Sequence, residues 1–273
     1  MDVFQAIILG IVQGLTEFLP ISSSGHLVLI PWFFGWEDPG LAFDVALHFG
    51  TLIAVVAYFW KDLIVIIKNG FRKDNEIKED NLNDKENTEY PKNLLWFLAI
   101  ATIPGVLAGY FFESQAETVF RSPLVIVFSL SIGGFLLYWA DRRLKNSKPL
   151  RKITIKNIIF IGLAQALAII PGVSRSGITM TAGLFSNFNR IAVAKFSFLM
   201  SIPVIFGAFI YKFSDFVEAG IGVKEIVGII VAATSGYLAI AGLIKFIEKT
   251  SYKIFFWYRL GLAGLILLVW FLR

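Results

Sequence analysis

Residues 13–26 read QGLTEFLPISSSGH. One carboxylate, three serines and one histidine stand together here, with the apolar run Val3 to Val12 before them and LVLIPWFF, residues 27–34, after them. Gln13 and Glu17 are four residues apart and share one helix face, which leads into Ser22, Ser23, Ser24 and His26. Pro20 and the serine run break the helical pattern, so the stretch predicts a helix, a polar turn and a second helix rather than one continuous span.

The surroundings make such a turn unusual. The 273-residue chain is 56% hydrophobic and 15% aromatic. Segments 94–112, 123–140 and 226–244 contain no Asp, Glu, Lys or Arg, and 45–60, 191–211 and 254–272 contain at most one each. Each can cross a hydrocarbon layer of about 30 Å. The expected fold is an all-α integral membrane protein with six full transmembrane helices, because lipid offers no partner for free backbone amides. Val3 to Val12 lacks a basic leading region and a small-residue cleavage site, so it is expected to belong to the mature protein. With no cysteine, disulfides, thiolate metal sites and thiol nucleophiles are excluded. The net charge of +5 reports topology, since the basic residues sit mainly in loops, and no nucleic-acid partner is expected.

A second apolar stretch, 155–185, is interrupted by PGVSRSG, residues 171–177. Non-helical backbone at membrane depth is tolerated only when buried in protein or lining a wet cavity, so both interruptions predict re-entrant helix-loop-helix hairpins. At a constant offset of 152, Gly10 matches Gly162, Gln13 matches Gln165 and Leu15 matches Leu167, and Ser22, Ser24 and Gly25 match Ser174, Ser176 and Gly177. Each half then reads as a broken hairpin followed by three spans. Three is odd, so the halves, 1–140 and 153–273, are expected to form an inverted-topology repeat in one membrane domain, with the site at their interface and 141–152 as a basic cytoplasmic linker.

Orientation follows from Lys and Arg. The face with loops 61–92, 141–156, 186–190 and 245–253 holds 18 of them, against four on the other face: Arg121, Lys212, Lys224 and Arg273. The rich face is expected to be cytoplasmic, which puts both termini and the mouth of the first hairpin outside. The charged connection 68–92 reads as a solvated loop.

The two turns supply complementary chemistry. Intramembrane ionisable groups such as Glu17 and His26 are functional by default, although a packing role is the ordinary alternative. Arg175, between Ser174 and Ser176 and flanked by Gly172, Gly177 and Thr179, adds a planar donor fork suited to phosphate oxygens. Arginine, several hydroxyls, an imidazole and a carboxylate together fit a multi-oxygen anion such as phosphate or diphosphate. Asp44 and His48, also four apart, read as a packing pair at the start of a span rather than as ligands. Arg259 reads as an anchor near the cytoplasmic end of the last span. Gly133 and Gly134 permit close helix contact, and a homodimer stays open as a partner.

At these motifs the chain resembles the undecaprenyl-diphosphate phosphatase family, also called the bacitracin-resistance family, over essentially its whole length. The resemblance implies removal of the terminal phosphate from a polyprenyl diphosphate in the cytoplasmic membrane, with the site open to the outer face. That reaction regenerates the lipid carrier for cell-wall synthesis. It further implies Glu17 as the acidic residue and Ser23 as nucleophile or phosphate ligand. His26 is then the motif histidine, and Arg175 binds phosphate with Gln13, Ser22, Ser24, Ser174, Ser176, Thr179, Gly172 and Gly177 around it. Mg²⁺ or Ca²⁺, bridged by substrate phosphates and Glu17, is the implied cofactor. The family commonly has Glu where this chain has Gln13, so a metal site of two carboxylates does not carry over. Two alternatives stay open: the proton of Ser23 passes to His26 or to Glu17, with directly activated water as the competing nucleophile, and a phosphate or polyprenyl-phosphate carrier or flippase would share the architecture.

Overall fold

The computed structural model describes residues 1–72, 89–145, 147–214, 220 and 222–273. Among them regular structure is helical, with one isolated bridge between Lys148 and Phe188. Six helices are long and apolar enough to cross a membrane: α3 (Gly40–Tyr58), α5 (Leu94–Phe111), α6 (Pro123–Arg142), α9 (Arg190–Tyr211), α10 (Val223–Lys249) and α11 (Lys253–Leu272). The chain is a multi-pass membrane protein.

The other helices belong mostly to the two interrupted stretches. α1 (Val3–Phe18) starts in a capping box: Asp2 Oδ1 accepts from Gln5 N–H at 2.8 Å, and Gln5 Oε1 accepts from Asp2 N–H at 3.0 Å. It stops because Leu19 precedes Pro20 and is pushed to an extended conformation, φ −68°, ψ 141°. α2 (Ser23–Phe34) follows. In the second half, Thr154 and Asn157 box the start of α7 (Ile155–Ala166), and the chain becomes extended at Ile170, before Pro171. α8 (Arg175–Phe185) follows. Proline thus ends both first arms by the same steric rule.

Packing exchanges elements between the halves. α1 lies most extensively against α10, and α7 against α5. Both contacts need backbones to come close. A Cβ on Gly10 would stand 2.8 Å from Gly228 O, and one on Gly162 2.8 Å from Ala101 O, too near for any side chain. That accounts for one matched pair between the two stretches. α6 packs on α11, and α3 on α9, joining the halves through paired spans. The largest buried apolar cluster runs from Phe18 and Phe59 through Phe198 to Tyr252.

One loop expectation changes. Residues 60–71 form α4 (Trp60–Phe71), with Ile66 buried and Trp60, Ile64, Val65, Ile67 and Phe71 exposed. Apolar residues turned outward beside Lys61 and Lys68 suit a helix lying at a membrane surface. Residues 73–88, most of the charged connection expected over 68–92, lie outside the described residues. The basic stretch 141–152 is fastened to the domain: Lys148 N–H donates to Asn187 O at 2.8 Å, and Asp141 accepts from Arg190 at 2.6 Å.

Candidate active site

The two turns meet inside the protein. Ser22 and Ser174, matched at the offset of 152, share an uncommon backbone, φ 76°, ψ 92° and φ 71°, ψ 115°. Positive φ in a serine costs on the order of 1–3 kcal/mol and persists only where the surroundings impose it. In both turns the serine Oγ caps the next helix, accepting from Gly25 N–H at 3.3 Å and from Gly177 N–H at 3.0 Å. Ser22 Oγ also accepts from Gly172 N–H of the opposite turn at 2.9 Å, where Gly172 has φ +96°. Ser176 Oγ donates to Leu19 O at 3.1 Å, and Ser129 of α6 donates to Pro171 O at 2.6 Å.

This seam brings charged groups together. Glu17, 5% exposed, accepts from Arg175 Nη2 at Oε1 (2.8 Å) and from Ser23 Oγ (2.5 Å) and Gln13 Nε2 (3.0 Å) at Oε2. His48 Nε2 stands 3.4 Å from the same Oε2. Arg175 Nη1 donates to Ser197 O at 2.9 Å, and Ser197 Oγ bonds Thr179 Oγ1 at 2.8 Å. Residues 158 positions apart, Glu17 and Arg175, thus form a buried ion pair with a serine hydroxyl on its carboxylate.

Other expected site residues line the seam without reaching that pair. His26 faces away from Ser23: Nδ1 donates to Ser22 O at 2.6 Å, and Nε2 bonds the Tyr258 hydroxyl at 2.7 Å. Both ring nitrogens are engaged, and the hydroxyl of Ser23 goes to Glu17. Ser24 lies 3.4 Å from Ser22, and Ser176 3.1 Å from Ser174, each beside its capping serine. Gly177 contributes its N–H to a cap, and Thr179 sits behind Arg175.

The sequence reading missed four neighbours. His48 does not pair with the Asp44 carboxylate; its Nδ1 donates to Asp44 O at 2.6 Å, which aims Nε2 at Glu17. Asp44 instead accepts from Arg121 at 3.2 Å, and Arg121 also holds Asp38 at 2.8 Å. Burial opposes the charge of Arg121, and Asp44 and Asp38 outweigh it, holding its pKa above the ordinary value. Ser197 carries no sequence signal, because a serine inside a span is ordinary. Tyr258 and Arg259 sit on α11, 86 to 239 residues from the groups they touch. Arg259 is no anchor at the membrane surface: it is 0% exposed and bonded to both turns.

Among the described residues no three of His, Cys, Asp and Glu cluster to hold a metal. The donors beside Glu17 are Ser23 and Gln13 Oε1, a buried oxygen without a partner. These fit a cation that arrives with phosphate oxygens rather than one caged by protein.

Comparison with known proteins now bears on this arrangement. The family described as bacitracin resistance protein BacA matches residues 6–265. A protein of Moorella thermoacetica named undecaprenyl-diphosphatase is 50% identical over 273 residues, the whole of both chains. One of the same name from Pelotomaculum thermopropionicum is 47% identical over 98% of this chain and 97% of its own, and one from Caldicellulosiruptor bescii 46% identical over 100% and 99%. Both motif turns and the last helix through Leu265 fall inside the matched region, so the chain belongs to the bacitracin resistance protein BacA family.

Proposed function

We propose that this protein hydrolyses undecaprenyl diphosphate to the monophosphate and inorganic phosphate. The observation that carries the reading is the Glu17–Arg175 pair with Ser23 Oγ 2.5 Å from the carboxylate. A nucleophile, its proton acceptor and a phosphate-binding cation are there within one hydrogen-bond network. The names of the full-length relatives point to the same substrate. A carrier would need the arginine but has no use for a hydroxyl bonded to a carboxylate.

The chemistry runs in two displacements. Ser23 Oγ attacks the terminal phosphorus in line while Glu17 Oε2 takes its proton. The Oγ–P bond forms, the bridging P–O bond breaks, and the lipid monophosphate leaves. Water then attacks the phosphoserine, Glu17 returns the proton to Ser23 Oγ as the P–Oγ bond breaks, and inorganic phosphate departs. Arg175 offsets charge on the transferring oxygens, with its fork oriented by Ser197 O. His48 holds Glu17 Oε2 toward Ser23. Mg²⁺ or Ca²⁺ would be held by Glu17, Gln13 Oε1 and the substrate phosphates, and would neutralise the repulsion between carboxylate and diphosphate.

The architecture belongs to the proposal as well. Two re-entrant hairpins related by an inverted repeat would place both turns at mid-membrane. The matched serine backbones and the exchanged packing, α1 on α10 and α7 on α5, support this reading. With the basic face cytoplasmic, the site opens outward in the cytoplasmic membrane.

Purified protein in detergent is expected to release phosphate from undecaprenyl diphosphate with Mg²⁺ or Ca²⁺. No release under either ion, with lipid phosphate still bound, would assign the chain to carriers. Rapid quench with substrate labelled in the terminal phosphate is expected to trap phosphoserine. Its absence, with Ser23→Ala turning over near normally, would replace serine by Glu17-activated water.

A further inference from the structure

Arg259 is the buried cation that the reaction above does not use. Its Nε donates to Pro20 O at 2.7 Å and its Nη2 to Val173 O at 3.0 Å, one carbonyl from each polar turn. Among the described residues no ion pair includes it, and its Nη1 has no hydrogen-bond partner. A guanidinium fully removed from water without a carboxylate is expensive, so packing stability alone does not account for it.

Its surroundings are shaped to receive it. A Cβ on Gly133 of α6 would stand 2.6 Å from Nη1, and one on Gly177 2.6 Å from Nη2. Gly133 and Gly134, expected above to permit close helix contact, in this protein face the Arg259 side chain. The preceding residue, Tyr258, bonds His26 at 2.7 Å, and His26 in turn bonds Ser22 O. One dipeptide of α11 therefore grips the first turn at Pro20 and His26 and the second at Val173.

We propose that Arg259 is a positioning residue: its planar fork sets the distance between the two turns, and so the register of Ser23 and Glu17 on one against Arg175 on the other. The inference rests on the phosphatase reading. Pro20 O and Val173 O lie within three residues of Ser23 and Arg175, so any slip between the turns passes directly to the reacting groups. Neither the lysine ammonium nor a neutral methionine reproduces a planar fork that holds two carbonyls at once.

The test uses the full-length protein in detergent, with kcat and KM for undecaprenyl diphosphate expressed per folded molecule and thermal stability measured alongside. Arg259→Lys, which keeps the charge, is expected to lower kcat about 10- to 100-fold with KM changed less than about threefold, since a misplacement near 1 Å costs about that much. Gly133→Ala, which pushes on Nη1 from another helix, is expected to give the same split. Combining Gly133→Ala with Arg259→Met should cost little beyond Arg259→Met alone, because both remove one constraint. Wild-type kcat in the folded fraction of Arg259→Lys, or additive losses in the double variant that track only thermal stability, would overturn the proposal. An inactive wild-type protein would instead remove the phosphatase reading on which it rests.

Discussion

The two polar turns share a backbone and differ in chemistry. Each begins after a proline-terminated helix, places a serine at positive φ, and uses that serine to cap the helix that follows. The first carries Glu17 and Ser23, and at the matching positions the second carries Ile169 and Arg175. The same turn frame occurs twice, and residue differences within it give one turn the carboxylate and hydroxyl and the other the cation. Neither turn pairs its own charge: Glu17 and Arg175 each find the opposite charge on the other turn.

Removing the charge unique to each turn is expected to have the largest effect. Arg175→Ala is expected to lower kcat/KM by at least about a thousandfold with normal expression, since it takes away phosphate neutralisation and strands Glu17. Phosphate release per folded molecule checks it, and turnover near wild type would remove the site assignment. Glu17→Gln keeps the shape and an acceptor oxygen but loses the base. A loss of about a hundred- to ten-thousandfold in kcat is expected, read in the same assay.

Smaller effects separate the two turns further. His48→Gln removes the imidazole 3.4 Å from Glu17 Oε2 and should cost about fivefold in kcat, a charged contact of this kind being worth on the order of 1 kcal/mol. Ser22→Ala and Ser174→Ala each remove a cap worth about 1 kcal/mol. Ser22 also holds Gly172 N–H across the seam, so Ser22→Ala should lower the melting temperature in detergent further than Ser174→Ala. Equal shifts would mean that the cross-turn bond adds nothing.

Much of the fold is legible because lipid leaves the chain few choices. The six segments with at most one charge coincide with the six long helices within a few residues, and Pro20 and Pro171 mark where the broken stretches turn. Gln13, Glu17 and Ser23 could be grouped by their spacing within one motif. The placement of His26 and His48 could not: the same i, i+4 spacing let Asp44 and His48 read as a pair, while the structure gives the carboxylate to Arg121 and the ring to Glu17.

A membrane-spanning all-helical chain, two matched polar turns and the residue types of a candidate phosphate site follow from the residues alone, because hydropathy, proline sterics and charge are local properties. Only the tertiary structure decided which groups touch. Arg175 on Glu17, Tyr258 on His26 and Arg259 across both turns join residues 86 to 239 positions apart. Such pairings depend on how α11 packs against α6 and how the two turns interlock, and no periodicity along the chain encodes that distance.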